Sequence, residues 1–121
     1  MGSASPVSVT TVRTPAGLVA RVSGELDGGT ATESVRLLFA GADVLPAPEL
    51  VVLDLTALSM LSAAGLRALL RFARDFRERG VRIHLVCPDD SVTRRVLNAV
   101  SVGESIPVFA TVDQALNGSP A

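Results

Sequence analysis

Leu50-Val51-Val52-Leu53-Asp54-Leu55 is apolar except for one carboxylate and rich in β-branched side chains. A run of this length and composition reads as a strand buried on both faces, at the centre of a mostly parallel sheet. The next two segments support that reading. Leu66, Leu69, Leu70, Ala73 and Phe76 recur at helical spacing, Arg67, Arg71, Arg74 and Arg77 line the other side, and Gly80 supplies a C-terminal stop. Val81 to Val86 is then a further strand. Two strands joined through a helix run parallel, with a right-handed crossover.

The remaining elements fall around this unit. Val7 to Arg13 and Leu18 to Ser23 form a hairpin through Thr14-Pro15-Ala16-Gly17, where Pro second and Gly fourth suit a type I turn. Thr30-Ala31-Thr32-Glu33 has capping-box spacing, and Val35, Leu38, Phe39 and Ala42 extend a helix from about Ala31 to Ala42. Ser91 to Val100 reads as a third helix and Ile106 to Phe109 as a last strand, with Thr111-Val112-Asp113-Gln114 capping a short final helix. The order is β-β-α-β-α-β-α-β-α.

The strand faces refine this. Leu18, Ala20 and Val22 oppose Val19, Arg21 and Ser23, while Val81, Ile83 and Leu85 oppose Arg82, His84 and Val86. Each strand has one apolar face and one mixed face. The expected architecture is α/β: a mixed, mostly parallel sheet of about five strands, with about four helices mainly on one face. Arg21 and His84 should then be solvent-accessible, and Ala20, Val22, Ile83 and Leu85 buried. One domain over residues 7–117 is expected, with residues 1–6 a disordered lead-in and 118–121 a disordered tail.

Composition removes several functions. Of 121 residues 48% are apolar, enough for a core. Eleven basic residues, all Arg, meet twelve acidic ones, so a net charge of -1 gives no general attraction to nucleic acid or anionic lipid. Four Phe with no Tyr or Trp build no base-stacking platform. No apolar run reaches the roughly 18 residues of a membrane span, and the first residues lack the pattern of a signal peptide. The lone Cys87 makes no internal disulfide, which fits the cytoplasm. His84, the one His, has no second His or Cys at ligand spacing, and no nucleophile visibly accompanies it, so neither a metal site nor catalysis is expected. No phosphate loop of Walker type is present, and no cofactor is expected.

Two segments sit at the carboxyl ends of strands, where open α/β sheets place their sites. Gly24-Glu25-Leu26-Asp27 leads from the second strand to Thr30-Ala31, and Asp54 through Ser62-Ala63-Ala64-Gly65-Leu66 joins the third strand to the second helix. Together they resemble the two signatures of the STAS family (sulfate transporter and anti-sigma factor antagonist), in its bacterial anti-sigma factor antagonist form. The resemblance runs from about Val7 to Leu116. It implies a STAS-like fold and a binding protein, not an enzyme: one that binds a kinase-type anti-sigma factor, frees a sigma factor and so regulates transcription by partner switching. It also leaves room for a non-switching STAS scaffold subunit of a transport or signalling assembly. A monomer or weak dimer is expected, without nucleic acid and without membrane insertion.

In that family the kinase phosphorylates a Ser at the helix start, placing about -1.5 to -2 charges inside an interface. Aligning Gly65-Leu66 with the family's terminal Gly-Leu puts Ala63, which accepts no phosphate, at the phosphoacceptor position. Ser62 and Ser59 are the neighbouring hydroxyls able to substitute, although a Ser before a helix also has a capping duty. The expected partner-binding residues are Asp27, Met60, Leu61, Ser62, Ala63 and Arg67. Asp27 either holds its loop or meets a partner, and Asp54 reads as structural.

Overall fold

Val51 and Leu53 point into one apolar cluster and Leu50 and Val52 into another, and none of the four is more than 1% exposed. The central run is thus buried on both faces. The structure is a computed structural model and describes residues 7–99, 102 and 105–117. The lead-in and tail expected at 1–6 and 118–121 lie outside the described residues.

The elements are β1 (Ser8–Arg13), β2 (Leu18–Leu26), α1 (Ala31–Ala42), β3 (Leu50–Asp54), β4 (Leu58–Leu61), α2 (Ala63–Glu78), β5 (Arg82–Val86), α3 (Val92–Ala99), β6 (Val108–Phe109) and α4 (Val112–Asn117). The sheet runs β1-β2-β3-β5-β6, with only the β1–β2 hairpin antiparallel along that path; β4 pairs with β2 alone. The Thr14–Gly17 turn closes through reciprocal backbone hydrogen bonds. Gly80, with φ +87°, ends α2 in the left-handed region that side chains avoid.

The larger core lies under α1, α2 and α3. Leu38 and Phe72 are fully buried there, and the rings of Phe39, Phe72 and Phe76 pack with centroids 4.6 to 5.3 Å apart. Such tilted aromatic pairs add specific geometry to the area they bury. Ala20, Val22, Ile83 and Leu85 join this core as expected. Leu70, placed on the same face by spacing, is only half-buried.

Three expectations need correction. His84 is not accessible: it is 7% exposed, beneath α4, with Nδ1 2.8 Å from the Ala115 carbonyl and its ring 4.9 Å from that of Phe109. The right-handed crossover constrains only helices that join parallel strands. α4 comes after the last strand and is free to fold onto the opposite face, where Ala115 meets Leu50, Val52, Val86 and Phe109. Arg21, beyond the reach of α4, keeps 60% of its side chain exposed.

Second, the capping box at Thr30 does not form. The Thr30 hydroxyl donates to the Glu25 carbonyl (2.8 Å), and Glu33 pairs with Arg36 instead. The box at the final helix does form in outline: Gln114 N–H donates to Thr111 Oγ1, and Gln114 Oε1 accepts from Ala110 N–H.

Third, β2 continues through Gly24-Glu25-Leu26, and Leu58–Leu61 is a strand where a loop was expected. Gly24, with φ +94°, sits where the register shifts between Gly24 and Glu25. Glycine there marks a bulge instead of a strand end. On the side away from β1, β2 pairs with β3 up to Arg21 and with β4 from Gly24 onward.

A partly covered face makes a direct prediction. Ala115→Asp, which places a carboxylate between α4 and the sheet, should lower stability by about 3 kcal/mol. Thr10→Asp, exposed on β1, should change it by less than about 0.5 kcal/mol. Urea denaturation of both variants checks the contrast.

Candidate functional site

The two segments at the strand ends meet at the backbone of Leu26. Its carbonyl accepts the Ser62 N–H at 3.0 Å. A Cβ on Gly65 would overlap the same carbonyl and the Leu26 side chain, so only glycine lets α2 start this close to β2. Ser62 then caps α2, its Oγ accepting from Gly65 N–H at 3.1 Å.

The Asp27 turn is built in the same manner. Asp27 Oδ1 accepts from Gly29 N–H (2.8 Å) and Thr30 N–H (3.1 Å), and Asp27 N–H donates to Thr30 Oγ1 (3.0 Å). Half-buried Asp27 therefore holds its own loop. Gly28 lies beside the start of α2, its Cβ position 3.7 Å from Ala64 Cβ. Asp54, 2% exposed, anchors the other segment: its carboxylate accepts from Thr56 N–H, from Thr56 Oγ1 and from Arg21 Nε. A buried carboxylate needs such donors, because an unpaired one is costly.

Strand β4 sorts its side chains. Leu58 and Leu61 turn inward, Leu61 being only 7% exposed, while Ser59 and Met60 face solvent. Leu61 thus belongs to the core and not to an outward surface, because the segment is a strand held against β2 and not a loop. Ser59 Oγ donates to the Gly24 carbonyl at 3.1 Å. Ala63 and Arg67 are exposed on the first turns of α2.

The Gly28 turn thus adjoins Ala64 and Arg67 at the start of α2, and Met60 pairs in register with Glu25 two residues before Asp27, so these exposed residues border one edge. Beside it runs a shallow groove of about 210 Å³ between α1 and α2, lined by Gly28, Thr32, Val35, Ala64, Arg67 and Arg71. Sequence reasoning passed over Gly28, where the Gly-Gly pair was the visible signal; it read Val35 only as part of the α1 core face and Arg71, with the other α2 arginines, as either a solvated face or part of a docking surface. His84 lies under α4, away from this edge, and Cys87 is buried with its Sγ 3.0 Å from Ser91 Oγ. Burial pushes the Cys87 thiol above its ordinary pKa, which disfavours the reactive thiolate. Among the described residues no group of three or more His, Cys, Asp or Glu is placed to hold a metal ion.

Both signatures thus close on one another through Leu26, and residues 8–115 match the STAS domain family. The chain belongs to the STAS domain family. Within it, the chain is 28% identical over 102 residues to the anti-sigma-F factor antagonist RsfA of Mycobacterium tuberculosis, covering 84% of this chain and 79% of that protein. The fold superposes on an anti-sigma factor antagonist from Mycobacterium paratuberculosis with a TM-score of 0.83, at 22% identity and over the whole of both chains. It also superposes on a sulfate transporter family protein from Wolinella succinogenes, with a TM-score of 0.68 at 21% identity, over 83% of this chain and 81% of that one. The STAS scaffold is common to both kinds of protein, so function must be argued from the edge itself.

The STAS contact at Leu26 is testable. Gly65→Ala should destabilise the domain by about 3 kcal/mol, because backbone has to move to admit the methyl. Ser62→Ala should cost about 1 kcal/mol, the usual value of a lost N-cap. Chemical denaturation with an unchanged slope would confirm both as stability effects.

Proposed function

We propose that this STAS domain is an anti-sigma factor antagonist: it binds a kinase-type anti-sigma factor and thereby frees a sigma factor. The observation that carries the reading is the contact of the two STAS signatures at Leu26, which leaves Met60, Ala63 and Arg67 exposed near the Asp27 turn. Similarity to a protein named as an anti-sigma-F factor antagonist supports it. The edge offers apolar surface and one guanidinium to a partner and no nucleophile–base pair, so the proposed role is binding without catalysis. No helix among the described residues is long and apolar enough to cross a membrane, in keeping with a proposed cytoplasmic protein acting as a monomer or weak dimer.

Ala63 shapes the regulation. Its exposed methyl occupies the position at which the STAS pattern carries a phosphorylated Ser. Ser62 Oγ and Ser59 Oγ each already serve the fold, one as helix cap and one as donor to the Gly24 carbonyl. The proposed antagonist is therefore constitutively active, with no phosphate-driven release at this turn. The same methyl favours a second reading, a non-switching STAS scaffold in a transport or signalling assembly.

Calorimetry against purified ATPase-fold anti-sigma factors of the source organism tests the first reading. Met60→Asp should weaken binding at least about tenfold, and Arg77→Ala should leave it nearly unchanged, because interface energy concentrates in a few central residues. Leu61→Asp is unsuitable for this purpose, since it places a charge in the core. Capture of a transporter subunit, with no anti-sigma factor bound, would favour the scaffold.

Intact mass after incubation with the cognate kinase and ATP tests the regulation. The wild type should remain unmodified, whereas Ala63→Ser should gain one phosphate. Robust modification of the wild type at Ser59 or Ser62 would restore a switch to this turn, and modification elsewhere would move it.

A further inference from the structure

Arg67, Arg71 and Arg74 succeed one another along the outer face of α2, over about 10 Å at the helical rise. With the partly exposed Leu70 they line a surface depression of about 340 Å³, in which one apolar side chain lies beside three arginines. Among the described residues, ion pairs engage Arg21, Arg36 and Arg94 and none of these three. The two acids of this helix lie to the side and beyond. Asp75 is half-buried, and Glu78 stands one turn past Arg74, beside Arg77. Three such arginines in a chain of net charge -1 are a concentrated local charge.

We propose that this face of α2 is a docking surface for an acidic amphipathic helix of a protein partner, whose apolar residue covers Leu70 while its carboxylates meet Arg67, Arg71 and Arg74. The proposal rests on the reading of the adjoining edge as a protein-binding surface, and it gives that partner a charge and a shape. Guanidinium groups pair with carboxylates through two parallel N–H···O bonds, a geometry suited to Asp and Glu. Carboxylates on an acidic helix recur at the same spacings of three and four residues as Arg67, Arg71 and Arg74. The stripe is also continuous with the edge, because Arg67 lines the α1–α2 groove as well as the Leu70 depression.

Nucleic acid fits this surface less well. Phe72, Phe76 and Phe109 are buried, and half-buried Phe39 packs against the larger core with Arg79 over its ring, so no aromatic platform for bases stands on this face. A phosphodiester chain tracking the stripe would meet Glu78 beside Arg77, and it has no apolar group for Leu70. A protein helix satisfies both features.

The full chain, isotope-labelled, is titrated by NMR with a helical peptide presenting one Leu ringed by Glu, and with its counterpart carrying Gln for Glu. The acidic peptide should shift the amide signals of Leu70, Arg71 and Arg74 and bind at least about tenfold more tightly than the Gln peptide, with affinity falling as salt rises. Arg71→Glu combined with Arg74→Glu should abolish this advantage, and a Lys-for-Glu peptide should bind that double variant better than the wild type. Circular dichroism and thermal melting verify that the double variant is folded. Equal binding of the acidic and Gln peptides, or binding untouched by the double variant, would overturn the proposal. Tighter binding of duplex DNA or phosphatidylglycerol vesicles through the same arginines would overturn it in favour of a phosphate-bearing partner. The two readings fail separately. Peptide binding at this stripe without any anti-sigma factor binding sinks the antagonist role alone. Anti-sigma factor binding that is sensitive to Met60→Asp, with no response to acidic peptide, sinks this proposal alone.

Discussion

The carbonyl of Leu26 is the point on which the two halves of this domain are hung. It accepts the Ser62 N–H and lies where any side chain at residue 65 would have to go. Glycine at that position sets how near α2 comes to β2 and where its first turn emerges. With α2 fixed, β4 is held against the end of β2, Leu61 is drawn inward, and Met60 and Ala63 are left outside. Chain separation makes the contact valuable: segments from opposite sides of α1 and β3 are tied together at one backbone group. A backbone hydrogen bond is worth only about 1 kcal/mol net, so its consequence is geometric more than energetic.

The change of partner along β2 depends on a second local device. Asp54 ends β3 with a buried carboxylate whose acceptors are taken up by Thr56 and Arg21. That arrangement turns the chain out of the sheet, and the bulge at Gly24 lets β2 bend to meet β4 instead. Arg21 contributes only part of this, because its exposed side chain is screened by water. The Thr56 contacts come from the turn itself and are the local ones.

Polar side chains at the candidate edge divide by duty. Asp27, Ser59 and Ser62 all make hydrogen bonds within the fold, so each maintains the shape of the surface as well as any contact it makes. Met60, Ala63 and Arg67 carry no comparable duty, which leaves them free to present apolar area and charge outward. Surfaces built this way hold their form without a partner. Binding to such an edge avoids much of the ordering cost that a flexible loop would impose.

The sequence by itself determined the central strand, the three longer helices, the hairpin and the cap at Ser62, because each is written in local periodicity or in a residue's own preference. The leucine and valine run from Leu50 needed no further information to be placed in the interior. Helix α1 appears from Ala31 to Ala42 as its spacing required, even though the capping box expected at its start is replaced by the Glu33–Arg36 pair. Tertiary structure decided what depends on distant chain. His84 lies in a mixed strand face, and only the return of α4 shows that this face is covered. Leu58 to Leu61 has two exposed residues between two buried ones, without the alternation of a strand, so its pairing with β2 was invisible before the bulge at Gly24 was placed. The inward turn of Leu61 and the half-burial of Leu70 share that cause, whereas the line of Arg67, Arg71 and Arg74 follows from helical spacing. Periodicity states which residues lie on one side of an element, and only packing against other elements states whether that side meets water.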